Sequence, residues 1–195
     1  FWSLANPLLL LAVYTVVFTQ FLPARLDSDA PYPLFLFAGI LPWTFFSAAV
    51  LESTNAISSN AGLIKKVMFP AEALPLVVVL SHLVHFVLAI PVMLAALVIF
   101  TLLGEARVTA NLLLLPCLMV LQTFFVAGIA LVVSSASILF RDLRDIIANL
   151  LQLGFFITPI IYPIETITSR PWRAVLRLNP MTPFVISYQD VFVYG

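Results

Sequence analysis

Charge is what this sequence has least of. Only 9% of its residues are Asp, Glu, Lys or Arg, against 63% hydrophobic, and the mean hydropathy is +1.13. A soluble domain carries about 25% charged residues, so this chain has too little polar surface to cover itself in water. An integral membrane protein follows. The net charge is zero, which leaves no extended basic surface and no reading as a nucleic-acid binder. Cysteine is nearly absent as well: Cys117 stands alone, so neither an intrachain disulfide nor a cysteine-based metal site can form. The six glycines are scattered, and no G-x-x-x-x-G-K-[ST] or G-x-S-x-G stretch occurs. The chain therefore lacks a phosphate-cradling loop and a nucleophile elbow, and is not itself an ATPase.

The apolar runs are measured against a bilayer. A spanning helix needs about 20 mostly apolar residues. Leu4 to Leu22 and Pro33 to Leu51 fit this length, while Ala73 to Leu103 and Val108 to Phe140 are longer and span with tilt or projection. Pro91 and Pro116 fall inside the two long runs, where they predict kinks. A fifth run, Leu150 to Ile164, is short and holds Pro159 and Pro163, which predicts a broken or re-entrant element buried in protein. Alternating strand patterns of the barrel kind are missing. The expected fold is all-α, a single domain over residues 1–195 built as a polytopic transmembrane helical bundle. No basic flank precedes the first run, so a cleaved signal peptide is a poor account of it. Beginning at Phe1 and stopping after an apolar stretch, the chain reads as part of something longer.

Charge concentrates in the connections. Lys65 and Lys66, the only two lysines, sit in "GLIKKVMFPAEALP" between the second and third runs. Leu63, Ile64, Val67 and Met68 give that segment an apolar face at helical spacing, and Pro70 ends it. "RDLRD" holds Arg141, Asp142, Arg144 and Asp145, with Arg141 and Asp145 spaced as an i,i+4 pair. Arg170, Arg173 and Arg177 share one face of any helix built there. Counting basic residues does not orient the chain: five lie in the loops of one side and four in those of the other.

Four stretches in order carry a resemblance. They are "NPLLLLAVYTVVF" from Asn6, "NAGLIKKVMFPAEALP" from Asn60, "SILFRDLRDI" from Ser137 with "TPIIYPIE" from Thr158, and "NPMTPFVISYQDVFVYG" from Asn179. Together they are similar to ABC-2 type export permeases, most of all the branch that exports O-antigen, capsule and teichoic acid. The resemblance covers essentially the whole chain, and departs from the pattern at Gln189, where a basic residue is expected nearby. It implies a six-span fold whose last span and N-terminal interfacial helix lie outside this chain, with a re-entrant outer segment. It implies a homodimer in the bacterial inner membrane, paired with separate ATPase subunits that bind ATP and Mg, while this chain binds no cofactor of its own. The substrate implied is a lipid-linked glycan.

The resemblance also assigns residues. The loop after the second span is expected to face the cytoplasm as a short coupling helix, through Leu63, Ile64, Lys65, Lys66, Met68 and Glu72, with Arg141 and Asp142 as a second contact with the ATPase. The outer gate or substrate path is expected at Pro159, Tyr162, Arg170, Arg173 and Arg177, where arginines bind the pyrophosphate of a carrier lipid. Each has a plainer alternative: the lysines and arginines meet anionic headgroups of membrane lipid, and "RDLRD" is a self-neutralised interfacial turn.

His82 and His85, three apart in the third run, raise a metal or proton-relay idea. A zinc site wants three or four protein ligands, and no further ligand lies at a matching depth in that helix, so helix–helix hydrogen bonding is the expected role. Glu52 closes the second span on the same face as Lys65, where a partner is expected. Trp2, Trp43, Tyr32, Tyr162, Trp172 and Tyr194 have the character of interfacial anchors, or stack on sugar rings along a conduit. Two other classes stay open: an ABC-2 exporter of a drug or lipid, and an intramembrane lipid-modifying enzyme built on His82, His85 and Glu72.

Overall fold

The computed structural model describes residues 2–18, 31–62, 70–140 and 142–194. Every regular element among them is helical, as the apolar runs predict. The bundle is made by α1 (Trp2–Val16), α2 (Tyr32–Ser59), α3 (Ala73–Leu102), α4 (Leu115–Leu139) and α5 (Leu143–Ile157). Two shorter helices follow, α6 (Arg170–Leu178) and α7 (Thr182–Gln189), and a π-helical turn, Asp190–Tyr194, continues α7. Three helical stretches among the described residues are long and apolar enough to cross a membrane: α2, α3 and Ala110–Leu139. With 28 to 30 residues each, they reach about 42–45 Å, beyond the ~30 Å hydrocarbon core. The first expected span, Leu4 to Leu22, is helical through Val16, and its last residues lie outside the described ones.

Several boundaries differ from the sequence reading, each for a local reason. α2 was bounded by hydropathy at Leu51 but runs on to Ser59, because a helix does not stop where apolar residues stop. Pro116 does not kink a helix: a 3-10 turn, Ala110–Leu114, precedes it, and Pro116 sits in the first turn of α4, where its missing N–H costs nothing. α5 starts at Leu143, seven residues before the expected run, with Asp142 at its N-cap and Asp145 in its first turn, where carboxylates favour the positive helix end. The charged link is thus mostly helix start. Trp43 is buried in the core at 6% exposure, not an interfacial anchor, and Tyr32 is buried too. Trp172 does lie exposed.

α3 closes on a glycine. Gly104 has φ +80°, its N–H donates to Thr101 O at 3.0 Å, and Glu105 N–H reaches back to Phe100 O at 2.9 Å. This pair of bonds satisfies the last carbonyls of the helix and needs a left-handed residue between them.

α2 is the centre of the bundle, packing against α3, α4, α5 and α7. Leu34, Phe35, Phe37 and Ala49 on it are all but inaccessible, whereas α4 exposes Phe124, Val132 and Leu139. An apolar face turned outward is what a lipid solvent permits. Pro42, inside α2, lacks the N–H that would close the ladder there. Gln122 of α4, fully buried, donates its Nε2 to Pro42 O at 2.8 Å and so ties the two helices at that level.

Candidate functional site

The contacts along α2 show how the last third of the chain is laid down. α5 runs toward the Tyr32 end of α2, with Phe155 edge-on to Trp43 at 6.1 Å between ring centroids. Its helix ends at Ile157. Thr158, fully buried, turns its Oγ1 back to Gly154 O at 2.7 Å, and Ile160 N–H closes a three-residue turn onto Thr158 O at 2.7 Å with Pro159 at its centre. The chain then rises to Ile161, whose carbonyl accepts the Tyr32 hydroxyl. α6 leads down again to Asn179 and Pro180, which line the same cavity as Trp43, Phe46 and Gly154. α7 climbs back antiparallel to α2: Phe184 meets Phe125 at a tilt, itself beside Phe46, and Tyr194 ends edge-on to Phe35. From Phe46 to Phe35 is eleven residues, about 16 Å of helix rise. α6 and α7 therefore form a re-entrant pair that enters the bundle from the Tyr32 end, turns at Asn179–Pro180 roughly halfway, and leaves at the end it entered.

Polar groups hold the pair at its turn. Asn179 Nδ2 donates to Thr158 Oγ1 at 2.8 Å, and Asn179 Oδ1 accepts from Met181 N–H at 3.0 Å. The Thr182 hydroxyl donates to Leu176 O at 2.6 Å, and Gln189 Nε2 donates to Pro159 O at 3.1 Å. These bonds gather around the helix breaks, where a buried polar group left alone costs about 1–3 kcal/mol. Below the turn lies a cavity of about 450 Å³ between α2, α4 and α5. Its lining is almost wholly apolar, with Asn179 the one amide among the described lining residues.

Of the residues expected at the outer gate, the structure gathers Pro159, Tyr162, Arg170, Arg173 and Arg177 into this segment, but gives them different tasks. Pro159 makes the turn. Tyr162 donates its hydroxyl to Phe156 O at 2.9 Å. Arg173 folds back onto the chain: Nε and Nη2 both donate to Ile167 O, at 3.1 and 2.6 Å, and Nη2 lies 3.4 Å from Glu165 O. Arg170 and Arg177 stay exposed on the α6 face.

At the opposite end, the expected coupling residues Leu63, Ile64, Lys65, Lys66 and Met68, and Arg141 beyond α4, lie outside the described residues. Glu72 is the N-cap residue of α3 and Asp142 that of α5, neither with a side-chain capping bond. Above them Glu52 meets His82, Oε2 to Nε2 at 2.7 Å, which joins α2 to α3. His85 bonds within its own helix, to Ser81 O. His82 thus plays the expected helix–helix role. No group of three metal-ligating side chains occurs among the described residues.

The family profile described as ABC-2 type transporter matches residues 1–193. The chain belongs to the ABC-2 type transporter family. Among its relatives, an O-antigen export system permease protein RfbA of Myxococcus xanthus is 38% identical over 98% of this chain and 71% of that protein. An RfbA permease of Klebsiella pneumoniae is 31% identical over all of this chain and 72% of its own length. A polysialic acid transport protein KpsM of Escherichia coli is 26% identical over all of this chain and 73% of its own length. For this ABC-2 chain the long apolar helices make a multi-pass membrane protein. Sequence reasoning missed Gly39, and met Gln189 only as a departure from the family pattern, not as a buried amide that bonds the break after α5. Gly39 is a small residue in an apolar run, a signal of close backbone approach, but what approaches it lies far along the chain.

Proposed function

We propose that the chain is the permease subunit of an ATP-driven exporter that moves a lipid-linked polysaccharide across the bacterial inner membrane, working as a homodimer with two ATPase subunits. The observation that carries this reading is the re-entrant pair at one end of a bundle whose other end holds the 60–72 segment, in a chain similar over its whole length to permeases named for O-antigen export and polysialic acid transport. ATP and Mg bind the partner. Closure of the ATPases moves the segment from Leu63 to Glu72, helped by Arg141 and Asp142, and α2 and α3 carry the movement into the membrane. The Tyr32 end faces outward, and there Arg170 and Arg177 meet the phosphates of the carrier lipid as it leaves, while lipid headgroups surround the rim.

The test is coupling. Ile64→Asp with Met68→Asp places two charges on the apolar face of the segment. The variant should insert normally, lose the ATPase subunit on co-purification, and leave its glycan inside the cell. If ATPase association and export both survive, the docking assignment fails. A cysteine placed at Ser169, with Cys117 replaced, should react with an impermeant thiol reagent from outside, and one at Ser59 should not. The reverse pattern inverts the topology.

A further inference from the structure

Gly39 stands where three pieces of chain meet. A Cβ there would lie 2.9 Å from Gln189 Nε2, 3.3 Å from Ile160 Cγ2 and 3.4 Å from Ile160 Cα. The last is ordinary van der Waals contact, and the close one, the first, belongs to an amide already committed. Gln189 is 3% exposed, and its Nε2 donates to Pro159 O at 3.1 Å with Ile160 O at 3.5 Å. That carbonyl lies beyond the end of α5, where the turn around Pro159 interrupts the helical ladder. One amide thus fastens α7 to the break after α5, and the absent side chain of Gly39 lets both press against α2. Directly after Gln189 the helix widens into its π-helical turn, a feature that recurs at functional sites.

The ring contact between α2 and the end of the re-entrant pair differs in kind: Phe35 meets Tyr194 edge-on at 6.5 Å between centroids. A hydrogen-bonded amide seated on a glycine is directional and has no room to slip. α2 itself is continuous from Tyr32 to Ser59 and leads straight into residues 60–72.

We propose that the Gly39–Gln189 contact is the joint through which α2 positions the re-entrant pair, so that displacement of α2 at its Ser59 end is delivered to α6 and α7 at the Tyr32 end. Gln189 is in this sense a positioning residue. The inference rests on the proposed function, because it needs an ATPase acting on the 60–72 segment.

The experiment uses the permease reconstituted in nanodiscs with its ATPase partner, with Cys117→Ser and a reporter cysteine at Ser169, the exposed N-cap residue of α6. The rate of labelling by an impermeant thiol reagent is compared between nucleotide-free and ATP-trapped complexes. The parent should show a severalfold difference. Gln189→Met keeps the length of the side chain and removes its donor, and Gly39→Ala forces the amide away. In both, the nucleotide-dependent difference should collapse while ATP hydrolysis and assembly of the complex hold, with a lowered melting temperature from the lost bond. A difference that persists in both variants overturns the proposal, as does a parent whose labelling ignores nucleotide. If both variants fail to fold, the contact serves stability alone and the proposal falls. Failure of the parent to bind an ATPase is separate, and removes the proposed function together with what rests on it.

Discussion

His82 Nε2 on α3 lies 2.7 Å from Glu52 Oε2 on α2, a polar bond between two helices that otherwise meet through apolar side chains. The two helices flank the 60–72 segment, so this bond fixes the spacing of the two arms that would receive a push from it. Glu52 keeps 64% of its side chain exposed, which places the pair at the rim of the bundle.

Interhelical hydrogen bonds in membrane proteins contribute about 0.6 kcal/mol on average, up to about 1.7. A double-mutant cycle over Glu52→Ala and His82→Ala, read by thermal unfolding in detergent, should return a coupling in that range. Glu52→Gln, which keeps an acceptor for the ring nitrogen, should fall within a few tenths of a kcal/mol of the parent. Strict additivity of the two alanine substitutions would show that the pair does not interact.

That bond also marks what a linear reading can reach. His82 was legible as a residue that bonds between helices and Glu52 as one that needs a partner, but that each is the other's partner, thirty residues away on another helix, is encoded in neither helix alone. The long apolar helix α3 was legible almost to the residue, since its run ends in a glycine that the turn requires. α2 was cut short because hydropathy reports contact with lipid and not the extent of the backbone ladder. In the re-entrant pair, the arginine spacing was readable, and so was the break at Pro159. That Arg173 turns inward while Arg170 and Arg177 stay out depends on where residues 165–167 pass, and no local pattern encodes that path.

Gly104 offers a test of local backbone demand. Its φ of +80° is a region that side chains other than glycine enter at a cost of about 1–2 kcal/mol. A Cβ there would meet nothing within 4 Å, so any penalty is conformational and not steric crowding. Gly104→Ala should lower unfolding stability by about 1 kcal/mol, and Gly104→Asn by less, because asparagine tolerates this conformation. Equal losses from the two substitutions would contradict the account.

The arginines of α6 divide into one that holds the segment and two that are left exposed. Arg173 spends its Nε and Nη2 donors on the carbonyls of Ile167 and Glu165, so it is committed to the loop that leads into the re-entrant pair. Arg170 and Arg177 carry the same charge on the same helix face and remain exposed, free to offer paired N–H donors to phosphate. Lysine in their place would keep the charge and lose the paired geometry. The two roles separate experimentally. Arg173→Gln should loosen the loop, speeding thiol labelling of a cysteine at Ser169 and lowering the melting temperature. Arg170→Gln with Arg177→Gln should leave both unchanged and lower export of the glycan several-fold. Arg170→Lys with Arg177→Lys should fall between parent and glutamine variant if bidentate contact matters, and match the parent if charge toward lipid headgroups is all that is needed. Export that is undiminished in the double glutamine variant would return Arg170 and Arg177 to the lipid surface and leave Arg173 as the only arginine of α6 with a structural task.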